Sequence, residues 1–199
     1  MSLVNFTTRE ITCKIVYYGP GRSGKTTNLH YIYGQVPGDR KGQMVSLATQ
    51  TDRTLFFDFL PIDLGTISGF TTRFQLYTVP GQVYYQTTRK LVLQGADGVV
   101  FVADSQARQL DENIESFQDL HANLADQGVD ARQMPLVIHY TKTYLPPEII
   151  TPMAELDEVR NFRNVPSVPA DALHGPGVFE TLRGLSEQVL RRLSTGERR

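Results

Sequence analysis

Tryptophan is missing from this 199-residue chain, and cysteine occurs once, at position 13. One cysteine cannot close an internal disulfide, so packing has to hold the fold. Such usage suits a reducing compartment, with Cys13 expected as a small core residue. Neither sign of charge is in excess: 20 Lys and Arg stand against 21 Asp and Glu, for a net charge of −1. Affinity for a phosphate backbone needs clustered cations, so nucleic acid is excluded as a partner. Long apolar runs are absent as well. The most notable, residues 99–103, falls far short of the roughly 20 residues that a membrane helix needs. No leader pattern opens the sequence, Ser2 does not fit N-myristoylation, and Thr195-Gly196-Glu197-Arg198-Arg199 carries no prenylation motif. The expectation is a cytoplasmic chain without direct membrane insertion, monomeric alone, forming a single α/β domain over residues 1–199. His30, His121, His139 and His174 show no ligand spacing with cysteine or carboxylates, and are read as structural or exposed.

What the chain does have is Gly19-Pro20-Gly21-Arg22-Ser23-Gly24-Lys25-Thr26, the G-x-x-x-x-G-K-T phosphate-binding pattern. An apolar run at 15–18 precedes it and reads as a buried strand. Residues 26–33 follow as a helix that ends near Gly34. Strand, glycine-rich turn and helix form the context the motif requires. Gly19, Gly21 and Gly24 let the main chain curl, so that successive N–H groups, through Arg22, Ser23 and on to Thr27, point into one cavity that holds phosphate oxygens. The helix N-terminus adds its partial positive charge. In this pattern Lys25 reaches the β- and γ-phosphates and the Thr26 hydroxyl coordinates Mg²⁺.

Strands and helices alternate through the rest of the chain, which predicts a mainly parallel six-stranded sheet with helices on both faces. Residues 37–50 are polar and too long for a simple connection, hence disordered or functional. Residues 55–60 and 73–77 read as two strands joined at the turn 65–69, an antiparallel hairpin at one sheet edge. Thr78-Val79-Pro80-Gly81-Gln82 opens a second loop and short helix, running to about Gly95. Continuous apolar character makes 98–103 and 136–138 buried strands. The spacing of Leu110, Ile114, Phe117, His121 and Leu124 predicts an amphipathic helix over 111–127. Prolines make 143–152 mostly loop. A weak helix follows over 153–162, then a short strand at 165–169 that Pro166 and Pro169 demote to an edge or an irregular one. Leu182, Leu185, Val189 and Leu193 place a final helix over 178–193.

Four stretches together resemble one family. The phosphate loop, Thr51-Asp52-Arg53-Thr54-Leu55-Phe56-Phe57-Asp58-Phe59, Tyr77-Thr78-Val79-Pro80-Gly81-Gln82 and Gly98-Val99-Val100-Phe101-Val102-Ala103-Asp104-Ser105 are similar to the small Ras-like GTPases of bacterial gliding motility and cell polarity, the MglA family. The likeness runs through nearly the whole chain, in order. It implies a Ras-like P-loop fold, GTP and GDP as ligands with Mg²⁺, and two switch segments, about 37–54 and 78–95. By the resemblance, Thr54 senses the γ-phosphate and Mg²⁺, Gln82 orients the attacking water beside Gly81, and Arg53 acts as an internal arginine finger, with Lys25 stabilising the same charge. Thr78 stands where most GTPases carry the aspartate that holds Mg²⁺ through water, a replacement the family shares. Ala172 and Leu173 match the loop whose backbone meets the guanine oxygen. The implied partners are a roadblock-type GTPase-activating dimer (MglB-like) and response-regulator-like polarity proteins, with recruitment to a cell pole.

One motif departs from the family. Thr141-Lys142-Thr143-Tyr144 occupies the place of N-K-x-D, whose aspartate accepts two hydrogen bonds from guanine. A tyrosine cannot accept bidentately as a carboxylate does. Lys142 keeps the alkyl stem that can lie along a base, and Thr141 is the milder change. Two readings therefore stand: a GTP-hydrolysing polarity switch, and a degenerate GTPase acting as a protein-binding scaffold with weak nucleotide binding. An ATP-using P-loop enzyme lacks any further motif in support.

Overall fold

The computed structural model describes residues 3–46, 57–67, 69–82, 85–160 and 165–195. Among them a short strand β1 (Leu3–Asn5) lies antiparallel to the start of β2 (Glu10–Tyr18). Helix α1 (Lys25–Gln35) follows, then β3 (Val45–Ser46), β4 (Asp58–Ile67) and β5 (Phe70–Thr78). Helix α2 (Gln86–Leu93), β6 (Gly98–Asp104), α3 (Leu110–Asp126), β7 (Leu136–Thr141), α4 (Met153–Arg160), β8 (Ser167–Ala170) and α5 (Val178–Ser194) complete the order. The sheet runs β3-β4-β5-β2-β6-β7-β8. Neighbours from β5 through β8 pair in parallel, whereas β4 is antiparallel to β5 and β3 to β4.

Among the described residues the sheet has eight strands, two more than the six expected. Strands β1 and β3 are three and two residues long, too short to carry a hydrophobic period. Strand β3 and a one-turn helix, Gly38–Arg40, lie in the stretch expected as disordered or functional loop. The strand expected at 55–60 starts at Asp58, with 55–56 outside the described residues. β8 lies at the sheet edge and contains Pro169, as its missing N–H requires.

Alternation along β2 explains the layers. Cys13, Ile15 and Tyr17 point to one face, where Leu29 and Ile32 of α1 and Val178, Leu182, Leu185 and Val189 of α5 cover them. Val16 and Tyr18 point to the other, against Val92 and Leu93 of α2 and Phe117, Leu120 and Leu124 of α3. Strands β6 and β7, covered on both faces, are buried along their whole length. Because the central strands are parallel, their carboxyl ends (Tyr18, Thr78, Asp104, Thr141 and Ala170) emerge along one edge of the sheet. In open α/β sheets ligands bind outside that edge.

Candidate functional site

The loop between β2 and α1 is shaped by backbone conformations that side chains resist. Gly24 caps α1 with φ 98°, and Gly19 has φ 144°. A Cβ on Gly19 would come within 2.2 Å of the Val102 carbonyl oxygen. No side chain caps α1, and its first turn holds no acidic residue, so the leading amides, from Lys25 through Thr27, keep their capacity for an anion. Lys25 Nζ donates to the carbonyl oxygens of Gly19 at 2.9 Å and Pro20 at 2.5 Å. Burial lowers its pKa to about 7, the nearby Arg89 charge adds to the fall, and Asp58 opposes it. Phosphate oxygens are the kind of neighbour that would restore the charged form. Ser23 is buried, while the Arg22 side chain is exposed at φ 61°.

Beside this cradle lies a carboxylate that sequence reasoning did not single out. Asp58, at the start of β4, is fully buried. Its Oδ2 accepts the Thr26 hydroxyl at 2.6 Å and the Thr78 hydroxyl at 2.8 Å. Its Oδ1 accepts the Ser46 hydroxyl, and its amide donates back to Thr78 Oγ1 at 2.9 Å. Strand pairing makes the cluster: Phe59 is opposite Tyr77 and Ser46 is opposite Asp58. The carboxylate missing at Thr78 is thus present one strand away. Carboxylate and hydroxyl oxygens are the hard donors that suit Mg²⁺, and a buried carboxylate gains by neutralisation. The signal for Asp58 was its phase, since it shares the inward face of β4 with buried Leu60 and Ile62.

The segment after β5, expected as the second switch, begins against the loop at residues 19–26. A Cβ on Gly81 would lie 2.3 Å from the Gly21 nitrogen, so only glycine permits this approach. Gln82 follows with an exposed side chain, and Tyr85 is half-buried. Arg53 and Thr54 lie outside the described residues, as do Leu47, Val83 and Tyr84; with Tyr85, these last three are the loop side chains expected from their residue type to bind a partner beside the phosphate site.

At the opposite end, β7 and the loop after β8 meet the same cradle. Thr141 Oγ1 lies 2.8 Å from the Ser23 carbonyl oxygen and 3.0 Å from that of Ala103. Thr141 and Ala172 both sit in van der Waals range of a Cβ built on Gly24. Lys142, at φ 64°, pairs with the buried Asp104 carboxylate. That partner was not foreseen. Tyr144 is 50 % exposed, its ring edge-on to His174 with centroids 6.1 Å apart. Asp171 accepts the amides of Leu173 at 2.9 Å and His174 at 3.2 Å, and pairs with the His174 ring at 2.5 Å. Burial raises the Asp171 pKa, but these bonds outweigh it and hold the carboxyl below the usual range. Leu173 itself is exposed.

Strand order, phosphate loop and the Gly81–Gly21 approach define a Ras-like P-loop protein. No family model matches the sequence. The chain is 54 % identical over 196 residues to the mutual gliding-motility protein MglA of Myxococcus xanthus strain DK1622, covering 98 % of this chain and all of that protein. The chain belongs to the MglA family of bacterial Ras-like small GTPases.

Proposed function

We propose that this chain is a guanine-nucleotide-dependent switch of gliding motility or cell polarity, hydrolysing GTP with Mg²⁺. The observation that carries the reading is the Asp58, Thr26 and Thr78 oxygen cluster beside the Lys25 cradle. Thr26 and Asp58 would hold Mg²⁺, with Thr78 supporting the carboxylate. The ion would neutralise charge on the β- and γ-phosphate oxygens. Lys25 would exchange its carbonyl partners for phosphate oxygens. Gln82 would orient the attacking water, and Arg53 would stabilise charge that develops only in the transition state. Thr54 would report loss of the γ-phosphate by releasing its segment. A roadblock-type activating dimer and response-regulator-like proteins would read the switch face, as the family resemblance implies. No helix among the described residues is long and apolar enough to cross a membrane.

Calorimetry of nucleotide-stripped protein with GTP, GDP and ATP at matched Mg²⁺, followed by single-turnover hydrolysis, tests the reading. Guanine-selective binding with Mg²⁺-dependent turnover is the expected result. The exposed Tyr144 ring at the base-reading position favours a second reading, the scaffold with weak or unselective nucleotide binding. Equal, weak binding of GTP and ATP would select it.

A further inference from the structure

The second switch contains a buried cation that belongs to none of the motifs. Arg89 lies in α2 with its side chain 8 % exposed. Its Nε donates to Asp119 Oδ2 of α3 at 2.8 Å, and its Nη1 donates to the Gln82 carbonyl oxygen at 2.5 Å. Asp119 also accepts the Tyr18 hydroxyl, and Asn123 Nδ2 donates to Tyr18 Oη at 2.8 Å and to Asp119 at 3.1 Å. Tyr18 is fully buried and is the last residue before Gly19. An unbroken chain of hydrogen bonds therefore runs from the root of the phosphate loop, through α3, to the backbone of Gln82.

We propose that Arg89 is a positioning residue for hydrolysis, clamping the Gln82 main chain at a fixed place relative to the phosphate loop. The inference rests on the hydrolytic reading above. Three features support it. Gln82 stands four residues ahead of α2, where its carbonyl accepts only a short-range turn bond and not the i to i+4 bonding of the helix body. The Tyr85 amide also donates to the Gln82 carbonyl, but at 3.2 Å, a longer bond than the charged one. Gly81, on the other side, fits against Gly21 with no room for a Cβ, so any drift of Gln82 rotates its side chain about a fixed neighbour.

The fork of the guanidinium matters. Nε and Nη1 reach two acceptors on different elements at once, which the single nitrogen of a lysine cannot do. Asp119, held by Tyr18 and Asn123, fixes the fork from behind and offsets the cost of burying it. The Arg89 charge is also felt at Lys25, where it contributes to the lowered ammonium pKa.

The test uses the full chain with Arg89→Ala, Arg89→Lys and Asp119→Asn, alone and with Gln82→Leu. Arg89→Ala should slow single-turnover GTP hydrolysis about tenfold or more while GTP affinity stays within about twofold, the split expected of a transition-state effect. Arg89→Lys and Asp119→Asn should fall between it and the parent. Hydrogen exchange at the Tyr85 amide should quicken in the same order. In the Gln82→Leu background, Arg89→Ala should slow the residual rate little further, because both changes remove one function. Unchanged turnover in a folded Arg89→Ala overturns the proposal, as does an equal loss of GTP affinity or full additivity with Gln82→Leu. Should Arg89→Ala fail to fold, Arg89→Lys and Asp119→Asn decide by the same criteria. A parent protein that does not hydrolyse GTP overturns the hydrolytic reading and the clamp together, whereas an active parent with insensitive variants overturns the clamp alone.

Discussion

Asp58 and Thr78 show how one residue's meaning depends on its neighbour. A buried carboxylate is tolerated when donors surround it, and here Thr26, Ser46 and Thr78 supply hydroxyls. Asp58→Asn preserves shape but removes the charge, so Mg²⁺ should then improve nucleotide binding about tenfold less than in the parent, as titrations with and without the ion would show. Thr78→Asp would set a second carboxylate against the first. Like charges so close raise the pKa of one and destabilise the pair, so Thr78→Asp alone should lower the melting temperature, and adding Asp58→Thr should recover much of it. If Thr78→Asp proves as stable as the parent, the two side chains do not face each other as the Thr78–Asp58 hydrogen bond places them. His139 raises the same issue of buried charge. Burial lowers its pKa from 6.5 to about 3, and its Nδ1 lies 2.7 Å from Thr181 Oγ1. The unfolded chain binds the proton first, so His139 makes stability fall as pH drops from about 6.5 towards 3. One such proton gives a slope of about 1.4 kcal/mol per pH unit within that window. His139→Gln should flatten this slope in urea unfolding at pH 7, 6 and 5.

At the scale of elements, what could be read depended on whether the information was local. Apolar runs marked the buried β6 and β7, and the 3.6-residue spacing marked α3 and α5, because each pattern reflects a face the element itself must bury. β1 and β3 carry no such pattern; they exist because a neighbouring strand offers an edge. Asp58 became legible only when its strand phase was known, and the Arg89–Asp119 pair joins two helices through residues 30 apart in sequence, a match that no local rule reports. The phosphate loop was the opposite case, since its glycines and Lys25 encode their own geometry. Helix α2 shows both faces of this distinction. Arg89 is buried, while Leu91 is 63 % exposed and adds nothing to the core. If α2 forms part of the partner face, Leu91→Ala and Tyr85→Ala should weaken pulldown of a roadblock-type partner. Leu91→Ala should leave the melting temperature within about 1 °C, since a surface substitution changes stability little. Undiminished capture by both variants would move the interface off α2.

Over the whole molecule, the sheet brings two groups of side chains to one edge: the proposed phosphate and metal groups from the ends of the parallel β2 and β5 and the start of the antiparallel β4, and the proposed base-reading groups from β6, β7 and the loop after β8. The first set is well provided with charge, whereas the second offers a phenol at Tyr144 where the family resemblance implies a carboxylate. The two changes in T-K-T-Y are unequal. Thr141 lies within hydrogen-bonding distance of the Ser23 and Ala103 carbonyls, so it still ties the phosphate loop to the sheet, and Thr141→Asn alone should gain little. Tyr144 contributes an exposed ring beside His174 and no charged acceptor. Tyr144→Asp should therefore tighten GDP binding at least tenfold by itself, because charge-assisted bonds are each worth about 1.5–3 kcal/mol. ATP affinity should stay unchanged, since adenine offers no matching donor pair. Calorimetry of the two single variants and their combination measures this directly. If Tyr144→Asp leaves GDP affinity where it was, the base is read from elsewhere on this edge, and the missing carboxylate is no handicap.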